Sequence, residues 1–207
     1  RRGAPLDAGQ HRRFGLLAVE LGLAVNRLGW AAYHARRVAG HDRDWEGLTG
    51  GAKVALAARA PLHALDLAHR AERVTNDSAA NALGRELAGL AQGMVAHYGK
   101  ALHALETARS RWRREGDRAA VARCHVHSAV LLMREVGNLT LAEHHLAEAA
   151  ELTTRGSDAW CRAELARVEL LGRTARPHEA LDAVTAVIGE LHRRKRPPCL
   201  VARAAVE

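Results

Sequence analysis

An all-α fold, a solenoid of about five antiparallel helical hairpins, is what three observations predict. The 207-residue chain is rich in Ala, Leu, Arg and Glu but only 3% aromatic, with a single Phe. That composition supplies helices well and a β-sheet core poorly. A two-helix pattern recurs along the chain, and helix-ending residues fall between its copies.

The copies can be taken in order. The first is degenerate: Leu21-Gly22, then Gly29, then a helix around Ala35. The second places Ala64, Ala68 and Ala71 after Pro61. The third has Gly89, then Tyr98-Gly99-Lys100, then Ala101, Leu105 and Ala108. The fourth is the clearest, an apolar helix from Val121, then Gly137-Asn138, then Ala142, Leu146 and Ala149. The fifth has Gly172 and Pro177, then Ala180, Val184 and Val187. The leading alanines at 64, 101, 142 and 180 are 37, 41 and 38 residues apart. Small residues there let the second helix of a hairpin approach its neighbours closely, while Leu and Val fill the seam. One hairpin cannot bury its apolar face alone, so stacking follows. Ser78, Asp117 and Ser157-Asp158 stand where N-caps are expected. Gly40, Gly116 and Gly156 follow helices ending in Arg36-Arg37, Arg113-Arg114 and Arg155, which is ordinary C-terminal chemistry.

The run from Gly137 to Ala149 (Gly, four residues, Ala, three, Leu, two, Ala) resembles the loop and second helix of the tetratricopeptide repeat (TPR) family. The resemblance spans about 45–190 and extends weakly to residue 14. It departs from the family in its longer period, in the missing large aromatic of the first helix (Arg85 and Val126 stand near that place) and in the missing terminal proline. It is similar to the divergent repeats of large bacterial regulatory proteins, among them transcription activators and multidomain regulators of actinobacteria.

Charge first points elsewhere. Net charge is +8 and the pI is near 10.4, values that often accompany nucleic-acid binding. Only Lys53, Lys100 and Lys195 are lysines among the 31 basic residues, an arginine bias that a GC-rich genome produces by itself. Two clusters bear on nucleic acid: Arg109, Arg111, Arg113 and Arg114 around Trp112, and Arg193-Arg194-Lys195-Arg196. Both fall at expected helix ends on different hairpins. Cys124, Cys161 and Cys199 are too few and too spread for a disulfide framework, and a reducing cytoplasm is expected. No apolar run is long enough to span a membrane, and no secretory signal is expected. The start without Met and the helix-like restart after Pro197-Pro198 lead us to read residues 1–207 as one repeat domain of a larger protein.

Catalytic chemistry finds little support. Cys124-His125-Val126-His127 places Cys124 and His127 on one helix face, and two ligands do not make a metal site. His144-His145 cannot chelate from one face. Gly47-Leu-Thr-Gly-Gly-Ala-Lys53 lacks the spacing and the preceding strand of a phosphate loop, and reads as a hairpin boundary or a helix start. No cofactor or metal is expected, and no enzymatic activity.

In the TPR family the first helix of each hairpin lines a concave face. By that resemblance the inner residues are Glu20, Asn26 and Arg27, then Lys53, Glu86, His127 and Arg134, then Arg162, Glu169 and Arg173. Leu56, Leu90, Met94 and Leu131 would floor the groove. Such a face suits a peptide or partner segment carrying acidic groups. The expected function is therefore a protein- or peptide-binding scaffold or sensor in a bacterial transcriptional regulator, acting with the parent protein's other domains. A nucleic-acid-binding repeat is the first alternative, and a ligand-binding or enzyme-associated helical domain the second.

Overall fold

The computed structural model describes residues 8–24, 26–38 and 44–193. Helices α1 (Ala8–Ala24), α2 (Leu28–Val38), α3 (Trp45–Ala57), α4 (Pro61–Val74), α5 (Ser78–Met94) and α6 (Tyr98–Glu115) come first. Then follow α7 (Arg118–Leu131), a π-helical turn (Leu132–Val136), α8 (Leu139–Leu152), α9 (Asp158–Arg173) and α10 (Pro177–Arg193). No strand occurs among the described residues, and the fold is the TPR-like α-solenoid expected. The chain divides within α6 into two compact units, Arg1–Ala104 and Leu105–Glu207.

Caps start most of these helices where the sequence says they should. Asp117 accepts from Ala120 N–H at 2.9 Å, Asn138 from Leu141 N–H at 3.0 Å, and Ser157 from Trp160 N–H at 3.1 Å. Each satisfies an amide that the helix itself leaves unpaired. One expectation needs correcting: Asp77, not Ser78, caps α5, accepting from Ala80 N–H at 2.8 Å. Both are good caps, and the carboxylate one residue earlier takes the role. The stretch 47–53 lies inside α3, which Asp44 caps from before it. The helix end expected at Gly40 lies outside the described residues.

In the first unit α1 pairs with α2 and α3 with α4; α2 then packs on α3, α4 on α5, and the first helices touch in sequence. The second unit repeats the scheme, with α7 against α8, α9 against α10, and α9 meeting both α7 and α8. The seams are built from small side chains. Ala64, Ala68, Ala71, Ala101, Ala108, Ala142 and Ala149 are fully buried. A Cβ on Gly22 would lie 2.8 Å from Ala31 Cβ, so α1 and α2 meet closer than any larger pair allows. Ala180 differs from its counterparts: it is only half-buried, and α10 turns Ala183, Val187 and Leu191 inward instead.

Every hairpin turn uses one left-handed residue: Asn26 (φ 54°), Arg59 (58°), Ala96 (61°), Gly137 (77°) and Ala175 (56°). These positions mark the repeat as faithfully as the alanines do, yet only one is glycine. A Cβ in this conformation costs roughly 1 kcal/mol. Nothing lies within 4 Å of a Cβ built on Gly137, so backbone strain alone is at stake there. Gly137→Ala is expected to lower stability by about 1 kcal/mol and Ala96→Gly to raise it by up to that amount, read by urea denaturation. Changes of the reverse signs, or no change in either, would contradict the shared turn geometry.

Candidate binding face

The first helices of the second unit's hairpins, largely buried, each keep one partly exposed stripe. On α7 the stripe is Arg123, His127, Val130 and Leu131, all partly exposed, continuing to exposed Arg134 in the π turn. On α9 it is Asp158, Arg162, Leu165, Glu169 and Arg173. Spacings of three and four residues place each set on one side of its helix. Arg134 grips Glu169 with two nitrogens, Nε at 2.9 Å and Nη2 at 2.6 Å. Arg173 holds the same carboxylate at 3.2 Å and also donates to Met133 O at 3.2 Å. That carbonyl belongs to the π turn. The two arginines hold the Glu169 carboxyl below its usual range, through the Arg134 hydrogen bond above all, and the same bond raises Arg134.

In the first unit Glu20 on α1 and Lys53 on α3 form an ion pair at 2.6 Å. Leu56 and Leu90 are partly exposed nearby in sequence order, and Met94 is 39% exposed. Three expected groove residues lie elsewhere. Asn26 and Arg27 sit in the α1–α2 turn, because α1 ends at Ala24 and Asn26 takes the left-handed conformation that reverses the chain. Glu86 is 2% exposed. Its place on α5 faces inward because α5 packs against both α3 and α4. So the structure brings Arg134, Glu169 and Arg173 together, pairs Glu20 with Lys53, leaves His127 and Arg162 on the α7 and α9 stripes, and removes Asn26, Arg27 and Glu86 from the face.

A buried polar cluster escaped the sequence reading. Arg109 on α6, His125 on α7 and His145 on α8 converge. The two Nδ1 atoms are 3.0 Å apart, and Arg109 Nη1 is 3.4 Å from each. One imidazole N–H must donate to the other ring's lone pair, so the accepting ring is neutral, and burial beside the Arg109 cation favours a neutral donor as well. Arg109 also pairs with Glu106. His125 is 3% exposed, and its Nε2 has no hydrogen-bond partner among the described residues. Burial first, then the Arg109 charge, pushes His125 down to about 3 and His145 to about 4. Neither histidine motif predicted this meeting; the available signal was that Arg109 and His145 each adjoin a seam residue, Ala108 and Leu146. No group of three or more His, Cys, Asp or Glu that could hold a metal occurs among the described residues. Cys124 and Cys161 are buried.

The first basic cluster offers no stacking platform. Trp112 is 8% exposed, with the Arg123 guanidinium 6.0 Å above its ring. Of the second cluster only Arg193 lies among the described residues, where it pairs with Glu190. No helix of the described residues is long and apolar enough to cross a membrane.

Solved structures share this architecture. A Rap protein complexed with Competence and Sporulation Factor superposes with a TM-score of 0.78 over 91% of this chain, at 14% identity. The apo form of RapI gives 0.68 over 89% at 11%, and MamA 0.55 over 90% at 14%. The chain spans 56% of that first Rap protein, 71% of RapI and 95% of MamA. Identities this low establish the shared fold. No protein-family model matches the chain, and no curated protein matches it in sequence.

Neutral burial of both histidines links stability to pH. Their folded pKa values lie below the unfolded value near 6.5, so between the two the unfolded chain binds more protons. Stability is then full above pH 6.5 and falls as pH drops toward 3–4. Urea denaturation is expected to show a loss of about 2 kcal/mol per histidine, about 4 kcal/mol in all, between pH 7 and pH 5. In His125→Leu/His145→Leu that dependence flattens over the same interval; an unchanged slope counts against the cluster.

Proposed function

We propose that this chain is a protein- or peptide-binding module of a bacterial regulatory protein, with the α7 and α9 stripes as its recognition face. The observation that carries the reading is the make-up of that face. Arg123, His127, Arg134, Arg162 and Arg173 surround Val130, Leu131 and Leu165, with Asp158 and Glu169 as its acids. An apolar strip bounded by guanidinium groups fits a partner segment with hydrophobic residues and flanking carboxylates. The shared fold of a Rap protein complexed with Competence and Sporulation Factor supports a binding role. The setting we infer is a cytoplasmic transcriptional regulator of actinobacterial type, with this module passing a binding event to the parent protein's other domains and performing no chemistry of its own. The rival nucleic-acid reading loses its strongest feature with the burial of Trp112.

Titration calorimetry against a panel of acidic, neutral and basic amphipathic peptides tests the reading. Acidic members should bind best, and Arg162→Glu should weaken them at least tenfold while leaving the melting temperature unchanged, since Arg162 is exposed. Equal binding of acidic and basic peptides, or indifference to Arg162→Glu, refutes the proposed face.

A further inference from the structure

Among the described residues of the first unit, an exposed apolar surface is concentrated on the first hairpin. Phe14 is 54% exposed, Leu17 70% and Leu21 55% on α1, with Trp30 at 38% and Tyr33 at 50% on α2. The chain has one Phe, two Tyr and four Trp, so three of seven aromatics collect here. Phe14, Trp30 and Tyr33 all meet His34 edge-on, with ring centroids 5.6, 4.7 and 5.2 Å away. At those exposures the five side chains present roughly 500 Å² to solvent, near the upper end for a monomer's largest patch.

The position of this patch in the repeat is informative. Counted back from the last helical residue, Phe14, Leu17 and Leu21 of α1 correspond to Gly47, Gly50 and Val54 of α3 and to Gly84, Leu87 and Ala91 of α5. In α3 and α5 these positions are buried, and they pack toward the hairpin before. A Cβ on Gly50 would stand 3.6 Å from Val19, and one on Gly84 2.8 Å from Glu72. Close stacking within the unit thus uses glycine at three of these six places. On α1 the same positions hold Phe, Leu and Leu, so the small residues that Gly47, Gly50, Gly84 and Ala91 supply are replaced by large ones, and only Leu87 of α5 is a counterpart of equal size.

We infer that this face binds a second copy of the chain, α1 packing antiparallel on α1 of its partner about a two-fold axis at Leu17. Charge pattern supports a copy over an unrelated protein. On the helix surface Phe14 and Leu21 lie to one side of Leu17, and Arg13 and Glu20 to the other. The two-fold therefore sets Phe14 against the partner's Leu21, and Arg13 against the partner's Glu20, each twice. Arg13 and Glu20 are both exposed. Glu20 already meets Lys53 at 2.6 Å, which orients its carboxylate without covering it, since the side chain is 60% exposed. The patch with its charged rim approaches the roughly 800 Å² per partner of a standard interface.

Sedimentation velocity on the 207-residue chain, from about 1 to 100 µM, provides the test. A concentration-dependent dimer is expected. Leu17→Glu should raise its dissociation constant at least tenfold with an unchanged circular-dichroism melt. Arg13→Glu and Glu20→Arg should each weaken it, because like charges then oppose across both copies. Mixing those two variants restores opposite charges at both contacts, so the mixture should dimerise where neither variant does alone. A monomer throughout the range overturns the inference. So does a dimer indifferent to Leu17→Glu, or a mixture no stronger than its components. The peptide titration above does not depend on any of these results.

Discussion

Close approach of helices through small side chains is the constraint on which the rest of this structure depends. A hairpin of about thirty residues has no interior of its own and is stable only when neighbours cover it. Alanine at the seams, and glycine at Gly22 and Gly84, lets the helix axes come together until backbone and Cβ atoms touch. Large side chains are then pushed to the flanks, where Leu48, Leu105, Leu132 and Leu170 fill the remaining space. The aromatic deficit follows from the same rule. A core of close-set helices has little room for rings, and most exposed rings collect on the first hairpin, where no described helix stacks before α1.

The seams also decide which polar groups are buried. Arg109, His125 and His145 belong to three successive helices, and each lies beside a seam residue rather than in it. Drawing the helices together carries them out of water, and the only inexpensive outcome is mutual hydrogen bonding with both rings neutral. On the open sides of the same helices the charges stay in water and pair across neighbours, as Arg134 does with Glu169 and Arg176 with Glu143 at 2.9 Å. Such exposed pairs add little stability. Their larger effect is to fix guanidinium groups in defined directions.

How much of this could be read from the sequence depended on the range of the interaction. Gly137-Asn138 and the Ala142, Leu146, Ala149 series announce themselves because turn, cap and seam are all local. Asn26, Arg59, Ala96 and Ala175 perform the turn that Gly137 performs. They were invisible because a non-glycine residue gives no sign that its φ is positive, and the misplacement of Asn26 and Arg27 on a helix face followed from that. The choice between Asp77 and Ser78 is a contest between two good caps one residue apart. Glu86 was misjudged because helical spacing identifies a face but not what covers it. The His125–His145 contact depends on the register between helices, which no periodicity within one helix records.

The arginine bias, which first looked like a footprint of nucleic acid, acquires a structural sense in this light. A lysine in place of Arg134 could make one contact with Glu169, whereas the guanidinium makes two and keeps the carboxylate in plane. Arg173 reaches Glu169 and the Met133 carbonyl at once, joining α9 to the π turn of the preceding hairpin. On the proposed function, a carboxylate arriving from a partner segment meets guanidinium groups already oriented and only partly satisfied by one glutamate. Exchange of Glu169 for that ligand would trade one ion pair for another of the same geometry. The net gain would then come from the apolar strip of Val130, Leu131 and Leu165, and the arginines would set specificity more than affinity.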